Sequence, residues 1–146
     1  MNDTLKEALD FAITKEKEAE DFYRTWSSRA ANSAVQKLFS ELAETERGHA
    51  ERLSRLAPKD LIAQGPAPSD LRVSDYLVEV EPKLSMNLQD ALILAMKREE
   101  ASVALYERLS RLGGSSQSLF TALAQEERRH KRLLEAEYDE VVLTEN

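Results

Sequence analysis

Cysteine is absent from the 146 residues of this chain. Its absence excludes disulfides, thiolate metal sites such as a rubredoxin-type iron centre, and cysteine nucleophiles. A metal site in this sequence would therefore have to rely on oxygen and nitrogen ligands, and only two histidines are available.

Glycine and proline are scarce, with four residues of each. All four prolines lie between residues 57 and 86, so the stretches on either side are free of the residue that most strongly breaks helices. Long apolar runs are also missing. The longest, Ala91 to Met96, is far too short to cross a bilayer, and no signal peptide is apparent. We therefore expect a cytoplasmic protein with no membrane role.

Basic residues are the minority charge, with 20 lysines and arginines against 27 acidic residues and a formal net charge of -7. This balance argues against a nucleic-acid-binding protein and suits a soluble one. The length predicts a single domain over residues 1–146 that is large enough to bury a real core.

Four amphipathic stretches with apolar residues every three or four positions predict four helices. We expect the first from about Thr4, capped by Thr4 with Glu7, to Arg29, and the second from a Ser33–Gln36 capping box to about Leu56. The third should be capped by Ser85 or Asn87 and end at Gly113-Gly114, and the fourth should run from Ser115 or Ser116 to near Glu140.

A crossover at about residues 57–86 separates the second and third helices, because the helical pattern fails there. Several apolar residues inside it predict a segment that lies on the bundle: Leu71, Val73, Tyr76, Leu77 and Val80. The short links within each helix pair predict antiparallel neighbours. The fold class is thus all-α, an antiparallel four-helix bundle of two helical hairpins joined by a long crossover.

Two copies of Glu-x-x-His stand out, at Glu46–His49 and Glu127–His130. Residues three apart share a helix face, and both copies fall in apolar core stripes. One glutamate also interrupts the stripe of each remaining helix, namely Glu16 in the first and Glu99 in the third. The chain therefore consists of two hairpins of similar design.

Hairpin geometry brings these six residues to one level. Residues equidistant from the turn of an antiparallel hairpin lie side by side, and the midpoints of the two glutamate pairs, Ala31 and Gly113, fall in the predicted turns. If the hairpins pack core to core, four carboxylates and two imidazoles meet at mid-bundle. Two divalent cations would balance the four carboxylate charges, and oxygen and nitrogen ligands suit iron, manganese or zinc.

This arrangement resembles the ferritin-like di-iron carboxylate proteins, in particular the rubrerythrin diiron domain and bacterioferritin. The resemblance covers all four helices and implies a centre of two iron ions, with manganese or zinc as other possible metals. It implies Glu16 and His49 on one metal, Glu99 and His130 on the other, and Glu46 and Glu127 bridging both. As in that group, we expect a ferroxidase or peroxide-detoxifying oxidoreductase with a role in oxidative stress.

Three departures from the family pattern shape the expected partners. Without cysteine there is no rubredoxin-like electron-transfer domain, so we expect an external electron donor beside dioxygen or hydrogen peroxide. No fifth helix follows the fourth, so we expect a homodimer or small oligomer and not a 24-subunit cage. The additional glutamate that rubrerythrins carry in the third helix is Ser102 here.

Some assignments stay open at this stage. Tyr23 and Tyr106, two turns beyond Glu16 and Glu99, either hydrogen-bond a ligand carboxylate or simply pack in the core. Glu20 and Glu126, beside the stripes, either bind a histidine or face water. The alternative function is a non-catalytic module, with zinc or manganese in the site or with the bundle delivered to a partner such as a nanocompartment shell.

Overall fold

Four long helices make up the fold in a computed structural model that describes residues 3–57, 60, 71–78, 86–112 and 114–145. They are α1 (Asp3–Arg29), α2 (Ser33–Ser54), α3 (Leu88–Ser110) and α4 (Gln117–Glu145). The chain is an all-α four-helix bundle, as the sequence predicted. None of the described helices has both the length and the apolar character that a membrane span requires.

Two hairpins, α1 with α2 and α3 with α4, account for most of the helix packing. Two apolar layers join them. One layer combines the end of α1 and the start of α2 with the start of α3 and the end of α4, through residues such as Trp26, Phe39, Leu92 and Leu134. The other combines the opposite ends, as in Leu9, Leu53, Leu109 and Leu123. Because α2 and α3 run in the same direction, the link between them must travel the length of the bundle.

The described part of this crossover lies on the bundle, as expected. Leu71 is buried, and a short 3₁₀ helix, Val73–Tyr76, contributes two partly buried side chains to the second apolar layer. Leu77, another of the apolar residues on which that prediction was based, is half exposed. The predicted contribution of Val80, and the prolines and Gly65 of the crossover, lie outside the described residues.

Two predicted helix caps were wrong. Asn32, and not Ser33, caps α2: its side-chain oxygen accepts hydrogen bonds from the backbone N–H groups of Ala34 and Val35. Gln36 donates to the carbonyl of Ala30 instead of closing a capping box. Thr4 is already inside α1, which includes Asp3. Asparagine and serine are both common helix caps, so the sequence pattern alone did not show which of Asn32 and Ser33 caps the helix.

The third cap and the second turn agree better with the sequence. Asn87 caps α3 by accepting from the N–H of Asp90, and Ser85 lies outside the described residues. Gly114, with φ of 81°, supplies the left-handed residue that the second turn needs, while Gly113 is not described. The end of α4 near Glu140 was wrong, because the helix continues to Glu145 and buries Val141.

Candidate metal centre

Six polar side chains meet between the two apolar layers. Each is at most 3% exposed, and together they are the glutamates and histidines that interrupt the core stripes: Glu16, Glu46, His49, Glu99, Glu127 and His130. One comes from α1, one from α3, and two each from α2 and α4. The structure therefore brings together every residue that the hairpin geometry predicted to converge.

The two histidines lie at the heart of this cluster. Their rings stack with centroids 5.9 Å apart and planes inclined by 12°. His49 Nδ1 lies 2.8 Å from Glu127 Oε1, and His130 Nδ1 lies 3.1 Å from Glu46 Oε1. Each histidine thus approaches the motif glutamate of the opposite hairpin, so the two hairpins contribute jointly to both halves of the cluster.

Two overlapping groups of potential ligand atoms result. In each group the ligand atoms lie within 4.8 Å of one another, and Glu46 and Glu127 belong to both. Glu16 and His49 complete one group, and Glu99 and His130 complete the other. This is the geometry of two neighbouring cation positions with two shared carboxylates.

Several atoms in the cluster are buried without any hydrogen-bond partner. They are Oε2 of Glu16, Oε1 of Glu46, Nδ1 of His49, Oε2 of Glu99, both carboxylate oxygens of Glu127, and Nδ1 of His130. Unpartnered buried polar atoms are rare because desolvation costs several kcal/mol for charged groups. Bound cations would satisfy all of them at once. The residues present therefore fit a pair of divalent metal ions with oxygen and nitrogen ligands, a set that suits iron, manganese or zinc.

Two buried tyrosines connect the hairpins across this centre. Tyr23 of α1 donates a 2.7 Å hydrogen bond to Glu99 Oε1, and Tyr106 of α3 donates a 2.6 Å hydrogen bond to Glu16 Oε1. Burial, followed by the nearby carboxylate charges, raises the pKa of both phenols well above 10.0. Both hydroxyls therefore stay protonated and leave the second oxygen of each carboxylate available to a cation.

Crowding of the buried carboxyl groups shifts their pKa values in different directions. Burial, followed by the charges of neighbouring glutamates, raises the pKa of Glu46 and Glu127 well above the ordinary 4.5. Burial also acts on Glu99, but its close contacts with Glu127 and His130 and the hydrogen bond from Tyr23 outweigh burial and lower its pKa. Without metal, Glu46 and Glu127 therefore bind protons more tightly than ordinary carboxyl groups do.

A further carboxylate distinguishes the two histidines. Glu126 Oε2 lies 2.9 Å from His49 Nε2 and also accepts a 3.1 Å hydrogen bond from Arg52. In neutral His49 a hydrogen on Nε2 can be donated to this carboxylate, which leaves Nδ1 as the ligand atom. The pKa of His49 is raised: burial lowers it, but the close carboxylate of Glu16 and the charge of Glu126 outweigh burial.

No equivalent carboxylate lies within ion-pair distance of His130 Nε2 among the described residues. The residue that corresponds to Glu126 in the first hairpin is Thr45, whose hydroxyl donates to the backbone carbonyl of Glu41. Glu20, the other undecided residue, accepts from Arg24 and is not among the carboxylates within ion-pair distance of either histidine. Sequence reasoning missed Arg52, since an arginine on an exposed helix face gives no distinguishing signal.

A four-helix bundle with carboxylates and histidines at its centre defines the ferritin-like class of carboxylate proteins, and the buried cluster indicates metal binding. The sequence profile of the Rubrerythrin family matches residues 7–138, and the chain belongs to this family. Family and cluster together indicate a diiron-type site.

A solved structure of similar fold, a hypothetical protein from Pyrococcus furiosus, superposes with a TM-score of 0.69 at 28% identity. The match covers 92% of this chain and 88% of the other. No curated protein matches the sequence significantly.

Proposed function

We propose that this protein is a di-iron carboxylate oxidoreductase that oxidises Fe(II) with dioxygen or hydrogen peroxide. The observation that carries the proposal is the set of unpartnered buried ligand atoms, whose residues form two overlapping groups between the hairpins. In this proposal, Glu16 and His49 hold one iron, Glu99 and His130 hold the other, and Glu46 and Glu127 bind both. Membership of the Rubrerythrin family supports it.

Iron bound in this way would supply two electrons, which reduce hydrogen peroxide to water or dioxygen to hydrogen peroxide. The chain's own residues prepare the site for that chemistry. Tyr23 and Tyr106 each restrain one carboxylate across the bundle, so that its other oxygen keeps a fixed direction. The apolar layers above and below the cluster shield the ligand set from water along the bundle axis.

The electrons for repeated turnover come from outside the chain in this proposal, because a cysteine-free sequence cannot bind its own thiolate iron centre. The donor is either an external redox protein or incoming ferrous ions, which then act as substrate. We further propose a homodimer or small oligomer, a state that light scattering measures directly.

Stopped-flow mixing of anaerobically Fe(II)-loaded protein with each oxidant tests the function. We expect rapid oxidation of iron, lost in Glu99→Ala and His130→Ala and kept in the control Glu20→Gln, whose carboxylate pairs with Arg24 and is not one of the candidate ligands. NADH-linked peroxide reduction should be slow until a partner reductase is added. Rapid multi-turnover peroxide reduction by the isolated chain with NADH, or full activity in Glu99→Ala, would contradict the proposal.

Metal analysis separates this function from the non-catalytic alternative. Zinc fits the same ligand types but has no redox chemistry. Protein purified without oxygen should contain two iron ions per chain, and its optical spectrum should change on exposure to air. Zinc in both positions, with no change in air, would favour a metal-binding or partner-binding module.

A further inference from the structure

A cavity of about 460 Å³ lies between α1 and α3, the two neighbouring helices of different hairpins. Its wall reaches the metal centre, because Glu46, Glu99 and Tyr106 line it. Its rim carries side chains of α1 that face solvent, including Lys15 and Glu18. The cavity therefore connects the surface of the bundle with the ligand carboxylates.

The size of this cavity exceeds what a small oxidant needs. A volume of about 460 Å³ is that of roughly fifteen water molecules, at about 30 Å³ each, whereas dioxygen and hydrogen peroxide need only a narrow passage. Its wall combines polar and charged side chains with apolar and aromatic ones, which include Phe11, Phe22 and Trp26 along α1 and Leu105 opposite on α3. Volume and lining are those of a site for an organic molecule.

The wall carries charges of both signs, and one of its basic side chains has no ion-pair partner among the described residues. Arg98 is partly buried, and its guanidinium lies 5.3 Å from the ring centroid of Phe22. No carboxylate of the described residues lies within ion-pair distance of it. Lys15, in contrast, is neutralised by Glu18 at 3.0 Å. An arginine that is partly desolvated and unpaired is complementary to an anionic group, above all to a carboxylate.

We propose that this cavity binds an organic anion with an elongated apolar body, its carboxylate on Arg98 and its body along Phe11, Phe22 and Trp26. Ser102, whose short side chain also lines the wall, leaves room for the ligand beside Glu99. A molecule bound in this cavity then lies beside Glu46 and Glu99, which line the same cavity. The binding does not depend on the proposed iron chemistry.

Fluorescence of Trp26 tests this proposal, because Trp26 is the only tryptophan of the chain and lines the cavity. The probe is decanoate, with 1-decanol as its uncharged counterpart, titrated into metal-free protein so that iron oxidation plays no part. We expect saturable binding of decanoate that is about tenfold weaker for decanol, as one charge-assisted contact is worth about 1.4 kcal/mol.

Three variants complete the test. Arg98→Gln should weaken decanoate about tenfold and leave decanol unchanged. The neighbouring Lys97→Gln, an exposed residue outside the cavity wall, should behave like the parent. Ser102→Phe should abolish binding of both probes by filling the cavity.

Equal affinity for both probes, full affinity in Arg98→Gln or Ser102→Phe, or no saturable signal would overturn the proposal. So would light scattering that shows a dimer dissociated by Ser102→Phe while decanoate has no effect on Trp26, since a second copy would then occupy the groove.

Discussion

At the scale of single residues, the two histidines are less alike than their motifs. His49 is oriented by Glu126, which Arg52 in turn holds, whereas the described structure gives His130 no such carboxylate. The two metal positions should therefore differ in affinity even though their direct ligands have the same chemistry. The hydrogen bond to Nε2 fixes the tautomer and raises the basicity of Nδ1, which favours the position beside His49.

Replacement of Glu126 by glutamine tests this asymmetry. We expect one of the two metal ions to bind about tenfold to a hundredfold more weakly, because His49 loses its orienting carboxylate, while the other ion is little affected. Competitive titration with a metal-sensitive dye measures both steps. Glu20→Gln is the matched control, as Glu20 contacts only Arg24 among the interactions described for it. Equal weakening of both ions would contradict the asymmetry.

The convergence of the six candidate ligands followed from the sequence because each one interrupts an apolar stripe, and a buried charge in a stripe is conspicuous. The contacts of Tyr23 and Tyr106 stayed open, because the same spacing also suits a tyrosine that only packs in the core. Only the separation of α1 from α3 decides which carboxylate each hydroxyl reaches. That separation depends on side-chain packing and cannot be read from periodicity.

At the scale of helices, the sequence predicted which helices exist and in which order, but it did not predict the residues at which they begin and end. Apolar periodicity is a property of the whole helix, while an end depends on one side chain that competes with its neighbours for the first free N–H groups. Asn32 and Ser33 are both acceptable caps by type, and the structure selects Asn32. The end of α4 was placed too early because Val141 follows a charged stretch, yet it joins the first apolar layer.

The choice of cap is testable by substitution. Asn32→Ala should destabilise the fold by about 1 kcal/mol, because the N–H groups of Ala34 and Val35 lose their acceptor. That corresponds to a melting temperature lower by about 3 °C in a protein of this size. Ser33→Ala should change the melting temperature much less. A larger decrease in melting temperature for Ser33→Ala than for Asn32→Ala would show that Ser33 caps the helix.

Gly48 lies inside α2, between Glu46 and His49 of the first Glu-x-x-His motif. A Cβ atom added there would meet nothing within 4 Å. Gly48→Ala should therefore stabilise the protein by up to about 1 kcal/mol through helix propensity alone. Thermal unfolding of the metal-free protein measures this gain, and unchanged metal content would show that the centre is intact. A loss of stability would mean that the glycine has a packing role.

At the scale of the whole molecule, the midpoint argument placed the cluster correctly because helical rise is the same in both arms of a hairpin. The cavity between α1 and α3 was not predictable in the same way. It arises where helices of different hairpins meet without a connecting turn to set their separation, and its wall combines residues that are ordinary in sequence. Arg98 illustrates this, since nothing in its own helix marks it as lacking an ion pair.

The dependence of folding on metal and pH tests the whole centre. A carboxyl group whose pKa is raised in the folded state binds protons more tightly there than in the unfolded chain. It therefore stabilises the metal-free fold in acid, and that contribution is lost as pH rises from about 4.5 through the raised value. Glu46 and Glu127 act in this direction, and so does His49, whose pKa is also raised. Glu99 acts oppositely, but only below 4.5.

We therefore expect the metal-free protein to become less stable as the pH rises from about 4.5 through the raised pKa values of Glu46 and Glu127, while the stabilisation by metal increases over the same range, because the ligands must lose protons to bind. Thermal unfolding with and without Fe(II) under anaerobic conditions measures both trends. In metal-free Glu127→Gln the decline with pH should be smaller, since glutamine fills the same space without titrating. Equal melting temperatures with and without metal at neutral pH would argue against a buried six-ligand centre, and so would a stabilisation that grows in acid.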